Sequence, residues 1–146
     1  MSEPTVRNFD PGALITTIGA FPLTSGFAPG TFIKVSRMND TFKSEAGAQG
    51  DVVRTRSRDR RGTVELTLLR TAQANDYLSG LAAADEQFGT GIRPLTMKDL
   101  NGTTVVFGAE CWLKKVADVE ESVDGSTRTW TFECAAIEIF VGGNLV

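Results

Sequence analysis

Residues 50–70 read GDVVRTRSRDRRGTVELTLLR, and two different patterns of period two meet at Gly62. After it, Val64, Leu66 and Leu68 point one way and Thr63, Glu65 and Thr67 the other, the alternation of a half-buried strand. Before it, Arg54, Arg56, Arg58 and Arg60 share a side opposite Val53, Thr55, Ser57 and Asp59. With Arg61, five arginines fall within eight residues. A strand with that basic face cannot lie in a core. The stretch predicts a charged, extended arm running into a wall strand of a β fold.

Working forward, Thr71 is placed to cap a helix, and Ala74, Leu78, Leu81 and Ala82 fall on one stripe at helical spacing. That helix should end near Asp85 or Glu86, before Gly89. Ile92–Lys98 reads as a strand, with Pro94 suggesting a sheet edge. Asp99-Leu-Asn-Gly102 reads as a hairpin turn with Gly102 at positive φ. Thr103–Val116 and Arg128–Phe140 are the longest predicted strands, joined through the turn Asp124-Gly-Ser126. Val105, Phe107, Ala109, Cys111 and Leu113 are expected on one face of the first, and Trp130, Phe132, Cys134 and Ala136 on one face of the second. Ala135-Ala136 marks an expected bulge, after which Ile137 and Ile139 take over the apolar role.

Working backward, Asn39–Gln49 is polar with Phe42 as its one large apolar anchor, so 38–61 forms a long excursion. Loops of that length in a small domain are usually functional or ordered by a partner. Thr31–Arg37 alternates as a half-buried strand, Gly19–Gly30 reads as loop, and Ala13–Ile18 as a short strand. Residues 1–11 read as an extended arm. The sum is a mainly β chain: an antiparallel sandwich or partly closed barrel with one flanking helix, in a single domain over 1–146.

Composition agrees. Hydrophobic residues make up 41% and charged residues 23% of the 146, with fifteen glycines and a net charge of −3. A chain of this size can bury roughly 70% of its unfolded surface. Met1–Asp10 lacks the apolar run of a secretory signal. Cys111 and Cys134 stand far apart without a CxxC, so two buried, reduced thiols in a reducing cytoplasm are expected.

The chemistry of catalysis is missing. The absence of histidine removes the commonest general base and metal ligand. There is no GxSxG, P-loop or dinucleotide glycine motif, and no cofactor is implied. Glu65, Glu110 and Glu133 fall on polar strand faces where nothing nearby would raise a carboxyl pKa. The arginine run could neutralise phosphates, but the arm from Val52 to Arg61 has no aromatic residue to stack on a base. A charge run is most often a solvated surface. The acids at Asp118, Glu120, Glu121 and Asp124 offer another partner for it, in a neighbouring copy.

Gly62, Thr63, Val64, the pair Leu68-Leu69, then Thr71, Asn75 and Leu78 follow an order that resembles the inner tail tube proteins of contractile-tailed bacteriophages. Phe21-Pro-Leu23, Ile33-Lys-Val35, Ala46-Gly-Ala-Gln-Gly50 and Arg128-Thr-Trp-Thr-Phe132 fit the same pattern, so the similarity spans most of the chain. The resemblance, shared with pyocin and type VI secretion tube proteins, implies a β-sandwich with one helix, stacked in hexameric rings. It implies a conduit for DNA ejection, assembled in the host cytoplasm, with sheath, baseplate and tail-terminator proteins as partners. Double-stranded DNA would pass without sequence-specific binding. The loop near 38–61 would reach the adjacent ring, making Phe42, Lys43, Glu45, Arg54, Arg56, Arg58 and Arg60 candidates for the inter-ring contact. Glu65, Glu110 and Glu133 would be candidates for the lumen. A tail-completion or baseplate-hub component of similar fold is the second reading, and a nucleic-acid-binding module using the arginine arm the third.

Overall fold

The computed structural model describes residues 6–144. Ten strands and one helix follow in order: β1 (Leu14–Ile18), β2 (Phe21–Leu23), β3 (Ile33–Arg37), β4 (Phe42–Ala46), β5 (Val52–Arg56), β6 (Gly62–Leu69), α1 (Ala74–Phe88), β7 (Arg93–Asp99), β8 (Val105–Leu113), β9 (Thr127–Cys134) and β10 (Ile137–Phe140). Eight strands form one antiparallel sheet in the order β2-β1-β7-β8-β9-β6-β3, with β10 also on β8. β4 and β5 form a separate two-stranded ribbon. The sheet folds over its own apolar face without closing. Between β3 and the β1, β7, β8 and β10 side the wall stays open as an apolar groove of about 350 Å³, touched by Ile33, Val35, Met97, Val106 and Ile139.

β6 carries the fold as its alternation predicts. Val64, Leu66 and Leu68 are buried, while Glu65 is exposed and Thr63 and Thr67 are half-buried. It pairs with β9 over its full length, setting Val64 opposite Phe132 and Leu66 opposite Trp130. Each of these large apolar side chains contributes roughly 1.5–3 kcal/mol by leaving water. α1 closes one end of the sandwich with Ala74, Leu78, Leu81 and Ala82, the four stripe residues. It runs two residues past the expected stop, to Phe88, and Gly89 ends it at φ 66°. Gln73, not Thr71, holds the N-cap position, and no side chain caps it.

Several other expectations are corrected. Phe21–Leu23 lies within the segment read as loop, yet it is β2, because the turn at Gly19 (φ 62°) folds it back onto β1. Pro94 is not at an edge, since β7 lies between β1 and β8. It sits where the β7–β8 register slips between Arg93 and Leu95, so its missing N–H falls at a bulge. Gly102 does turn the β7–β8 hairpin, but not through positive φ. A Cβ there would lie 2.6 Å from the Gly143 carbonyl oxygen and 2.8 Å from Asp99 Oδ2.

The apolar face predicted for β8 holds only at its far end. Val106 and Gly108 point inward while Phe107 is exposed, and after Gly108 the phase shifts so that Cys111 and Leu113 point inward. The expected bulge at Ala135-Ala136 lies directly across from this shift. Ile137 faces Gly108 on one side of it, and Cys134 faces Cys111 on the other. The two irregularities compensate, so β9 and β10 act as one long partner for β8.

The cysteines are not free thiols. Cys111 and Cys134 are directly opposed, with Cα atoms 4.2 Å apart, and are joined in a disulfide. The expectation of reduced thiols judged the two by their distance in sequence, 23 residues. Antiparallel pairing erases that distance. Their expected burial holds, for neither is exposed.

Candidate functional site

The segment 38–61 is a hairpin ribbon standing off the body. Every residue of β4 and β5 is exposed. Phe42 pairs with Arg56, Ser44 with Arg54 and Ala46 with Val52, so these six share one face. Lys43, Glu45, Val53 and Thr55 take the other. The ribbon therefore brings five of the predicted contact residues together: Phe42, Lys43, Glu45, Arg54 and Arg56. Arg58 and Arg60 lie beyond it, in an irregular segment where the arginine alternation no longer belongs to a strand. The arm itself carries no aromatic, but its partner strand supplies one. Pairing carries Phe42 under Arg54, whose guanidinium carbon lies 4.0 Å from the ring centroid. The signal was across the hairpin, where a reading along one strand could not find it.

A clamp that sequence reasoning missed fixes the ribbon's base. Arg61 donates to Asp59 through Nε (3.0 Å) and Nη2 (2.9 Å), and Asn39 Nδ2 donates to the same carboxylate. The Arg61 side-chain bonds, then its backbone N–H, hold the Asp59 carboxyl down at about 2 from the usual 3.8. The Met38 N–H donates to the Arg61 carbonyl and the Ser57 N–H to the Thr41 carbonyl, continuing the ladder below the ribbon. Beside the clamp, Arg37, Thr41, Arg56, Ser57, Arg58 and Arg60 line a concave basic surface. Arg37 donates to the Ile137 carbonyl at 2.9 Å. Among the described residues, Arg56, Arg58 and Arg60 pair with no carboxylate.

The opposite end of β6 and β9 carries the acids. Residues 114–126 form the loop between β8 and β9, turned at Gly125 (φ 85°). Glu121 is gripped by Arg70 and by Arg128 Nη2 at 2.7 Å, and these bonds, Arg70's first, lower its pKa. Arg128 also donates to the Glu120 carbonyl at 2.9 Å. One acid of the expected cluster is thus spent on shaping its own loop. Asp118 makes a largely solvated contact with Lys115 (3.3 Å), while Glu120 and Asp124 stay exposed.

Glu65 and Glu133 share the outward face of the β3–β6–β9 wall. Register places Lys34 beside Glu65, Glu65 beside Thr131, and Thr63 beside Glu133. Thr67, Thr129 and Ser36 complete a hydroxyl-rich face. Glu110 falls at the β8 irregularity, where its carbonyl accepts from the Ala135 N–H. It is exposed, and the alternation through Cys111 and Leu113 sends it outward. Glu133 lies 3.9 Å from Arg61, linking this wall to the ribbon clamp.

Comparison with known proteins follows this architecture. The profile of the family described as "Bacteriophage PhiTE tail tube protein" matches residues 6–142. The "Structural protein ORF10" of Pseudomonas phage KPP10 is 25% identical over 122 residues, covering 82% of this chain and 70% of that protein. Among solved structures, the tube-terminating cap of the anti-feeding prophage superposes with a TM-score of 0.64 at 8% identity, over 97% of this chain and 96% of its own. The sheath/tube terminator of an extracellular contractile injection system, PVC, gives 0.59 at 9% identity over 94% of this chain and all of its own. A chain of the PVC sheath–tube complex gives 0.53 at 10% identity, over 94% and 93%. At such identities the superpositions speak to the fold alone. The profile match, running nearly end to end through the wall strands, the ribbon and the helix, shows that the chain belongs to the bacteriophage PhiTE tail tube protein family, a structural family and not an enzyme family.

Proposed function

We propose that this chain forms the inner tube of a contractile phage tail, as stacked rings with six copies in each, through which DNA is ejected. The observation that carries the reading is the ribbon. Two strands that form a sheet of their own, with every residue exposed among the described residues and Phe42, Val52 and Val53 on their surface, are built to contact another molecule. Phe42, Lys43, Glu45, Arg54, Arg56, Arg58 and Arg60 then serve the contact between rings. Among the described residues β3 ends the sheet with an unpaired edge, the natural place for a neighbour within a ring to extend the wall.

Glu65, Glu110 and Glu133 face the lumen in this arrangement. These carboxylates and the hydroxyls around them repel phosphate, while Lys34 beside Glu65 and Trp112 beside Glu133 lie on the same face. Sheath, baseplate and terminator proteins complete the tail around it, after assembly in the host cytoplasm. Light scattering on the purified chain and negative-stain microscopy test the proposal. Rings and tubes of indefinite length are expected. A strict monomer at high concentration, without rings or tubes, refutes it. The likeness to two terminators favours a second reading, a completion protein that caps a tube, and polymer length separates the two. A cap forms single rings that stop.

A further inference from the structure

We propose that the basic surface at the ribbon's base receives the acidic loop 114–126 of a second copy, head to tail. This rests on the tube reading and names the two surfaces that meet in it. The first ground is position. β6 and β9 pair antiparallel from Gly62 opposite Cys134 to Leu69 opposite Thr127. The ribbon and its arginines leave the Gly62 end, and the acidic loop leaves the Leu69 end. Eight residues of strand hold the two about 25 Å apart along one rigid axis. One chain cannot bring them together, whereas two copies translated along that axis do.

Charge supplies the second ground. Arg56, Arg58 and Arg60 are exposed cations around a concave surface with Thr41 and Ser57 as hydroxyl partners. The loop offers Asp118, Glu120 and Asp124 as exposed acids. Preorganisation is the third. Glu121 is held by Arg70 and Arg128, and the Ser126 hydroxyl donates to the Glu120 carbonyl at 2.6 Å. Asp59, Arg61 and Asn39 fix the receiving side in the same way. Arg56, Arg58 and Arg60 on one surface and Glu120 and Asp124 on the other are left for the partner, and Asp118 must exchange its solvated contact with Lys115 for it. Val119 and Val123 are exposed on the same loop and add apolar area to the contact. A contact between two unlike surfaces of one chain does not close by two-fold symmetry and propagates along the axis.

The test is a charge exchange. Variant one carries Arg56→Glu, Arg58→Glu and Arg60→Glu, and variant two carries Asp118→Lys, Glu120→Lys and Asp124→Lys. None of these six side chains belongs to the clamp or to the Glu121 grip, and far-UV circular dichroism and melting confirm that each variant folds. Sedimentation and negative-stain microscopy then read polymer length. Each variant alone is expected to lose stacking at least tenfold in pelleted mass, while an equal mixture restores it, since each ring then meets a complementary one. Wild-type stacking should weaken as salt rises. Folded variants that stack like wild type, or a mixture that stays unstacked, overturn the pairing while leaving the tube reading intact. A wild-type chain that forms neither rings nor tubes overturns both. Stacking unchanged in variant one, with loss of binding to a short duplex DNA, assigns the arginines to nucleic acid and overturns the pairing.

Discussion

Asn75 holds three elements with one side chain, and its removal should be felt well beyond its size. Its Oδ1 accepts from Trp130 Nε1 at 2.9 Å, and its Nδ2 donates to the carbonyls of Leu69 (3.0 Å) and Arg70 (3.3 Å). The first turn of α1, the end of β6 and the middle of β9 meet there. Trp130 is 2% exposed, so Asn75→Ala leaves a buried indole N–H without a partner. That costs about 1–3 kcal/mol, and each lost bond to a carbonyl adds roughly 0.5–1 kcal/mol. Alanine's better helix propensity returns at most about 0.7 kcal/mol. The net destabilisation is about 2–4 kcal/mol. With a urea slope of about 2 kcal/mol/M, the midpoint falls by about 1–2 M. Urea titration of dilute monomer, followed by far-UV circular dichroism, measures it. Asn75→Asp keeps the acceptor for Trp130 but sets an acceptor-only carboxylate oxygen against the Leu69 and Arg70 carbonyls, so it should not restore the lost stability. A shift below about 0.3 M for the alanine variant, or an aspartate variant as stable as the unchanged chain, refutes this account of Asn75.

Thr16 lies 2% exposed, and among the described residues its Oγ1 has no hydrogen-bond partner, so Thr16→Val should stabilise by about 1 kcal/mol in the same titration. Asp59 has its pKa lowered to about 2, so the clamp's contribution is present above pH ~4 and is lost as pH falls through 2. Hydrogen exchange at the Ser57 and Arg61 amides, compared at pH 5 and pH 2.5 after correction for intrinsic rates, should show protection falling at the lower pH, and equal protection would contradict it. Reducing Cys111–Cys134 opens a cross-link of 23 residues and should cost about 3 kcal/mol, read as the urea midpoint with and without reductant. A Cβ at Gly62 meets the Ser36 carbonyl oxygen at 2.9 Å and the Ile137 side chain closer still, so Gly62→Ala should cost about 1–3 kcal/mol in a thermal melt.

The architecture was legible wherever a period ran uninterrupted. Val64, Leu66 and Leu68 specified β6, and Ala74 through Ala82 specified the buried face of α1. It failed where the period broke within a strand. The phase slip after Gly108 turned Phe107 outward, and a single-strand pattern carries no record of a bulge enforced by its partner. Features made by pairing were out of reach for the same reason. The disulfide, Phe42 beneath Arg54, and Glu121 between Arg70 and Arg128 each join residues that register or a loop brings together. The candidate site was readable as composition, five arginines in eight residues, but not as shape. That Asp59 and Arg61 serve the base while Arg56, Arg58 and Arg60 stay exposed on a concave surface is visible only in three dimensions.

The strand order also sets a timetable for synthesis. β1 is made early but pairs on its inner side with β7, some eighty residues later, through Ile18 opposite Leu95 and Leu14 opposite Asp99. Until Arg93–Asp99 leaves the ribosome, the β1–β2 hairpin has no third strand and stays marginal. β3 likewise waits for β6, and β6 for β9. The nascent chain therefore holds only separate strand pairs, β1 with β2 and β3 with β6, until β7 to β9 are made, and the wall assembles late, around β8 and β9. Non-local pairing of this kind folds slowly. Slow translation would prolong the exposure of Ile18, Leu23, Val64 and Leu66, making aggregation of the growing chain, more than instability of the finished one, the hazard in producing it.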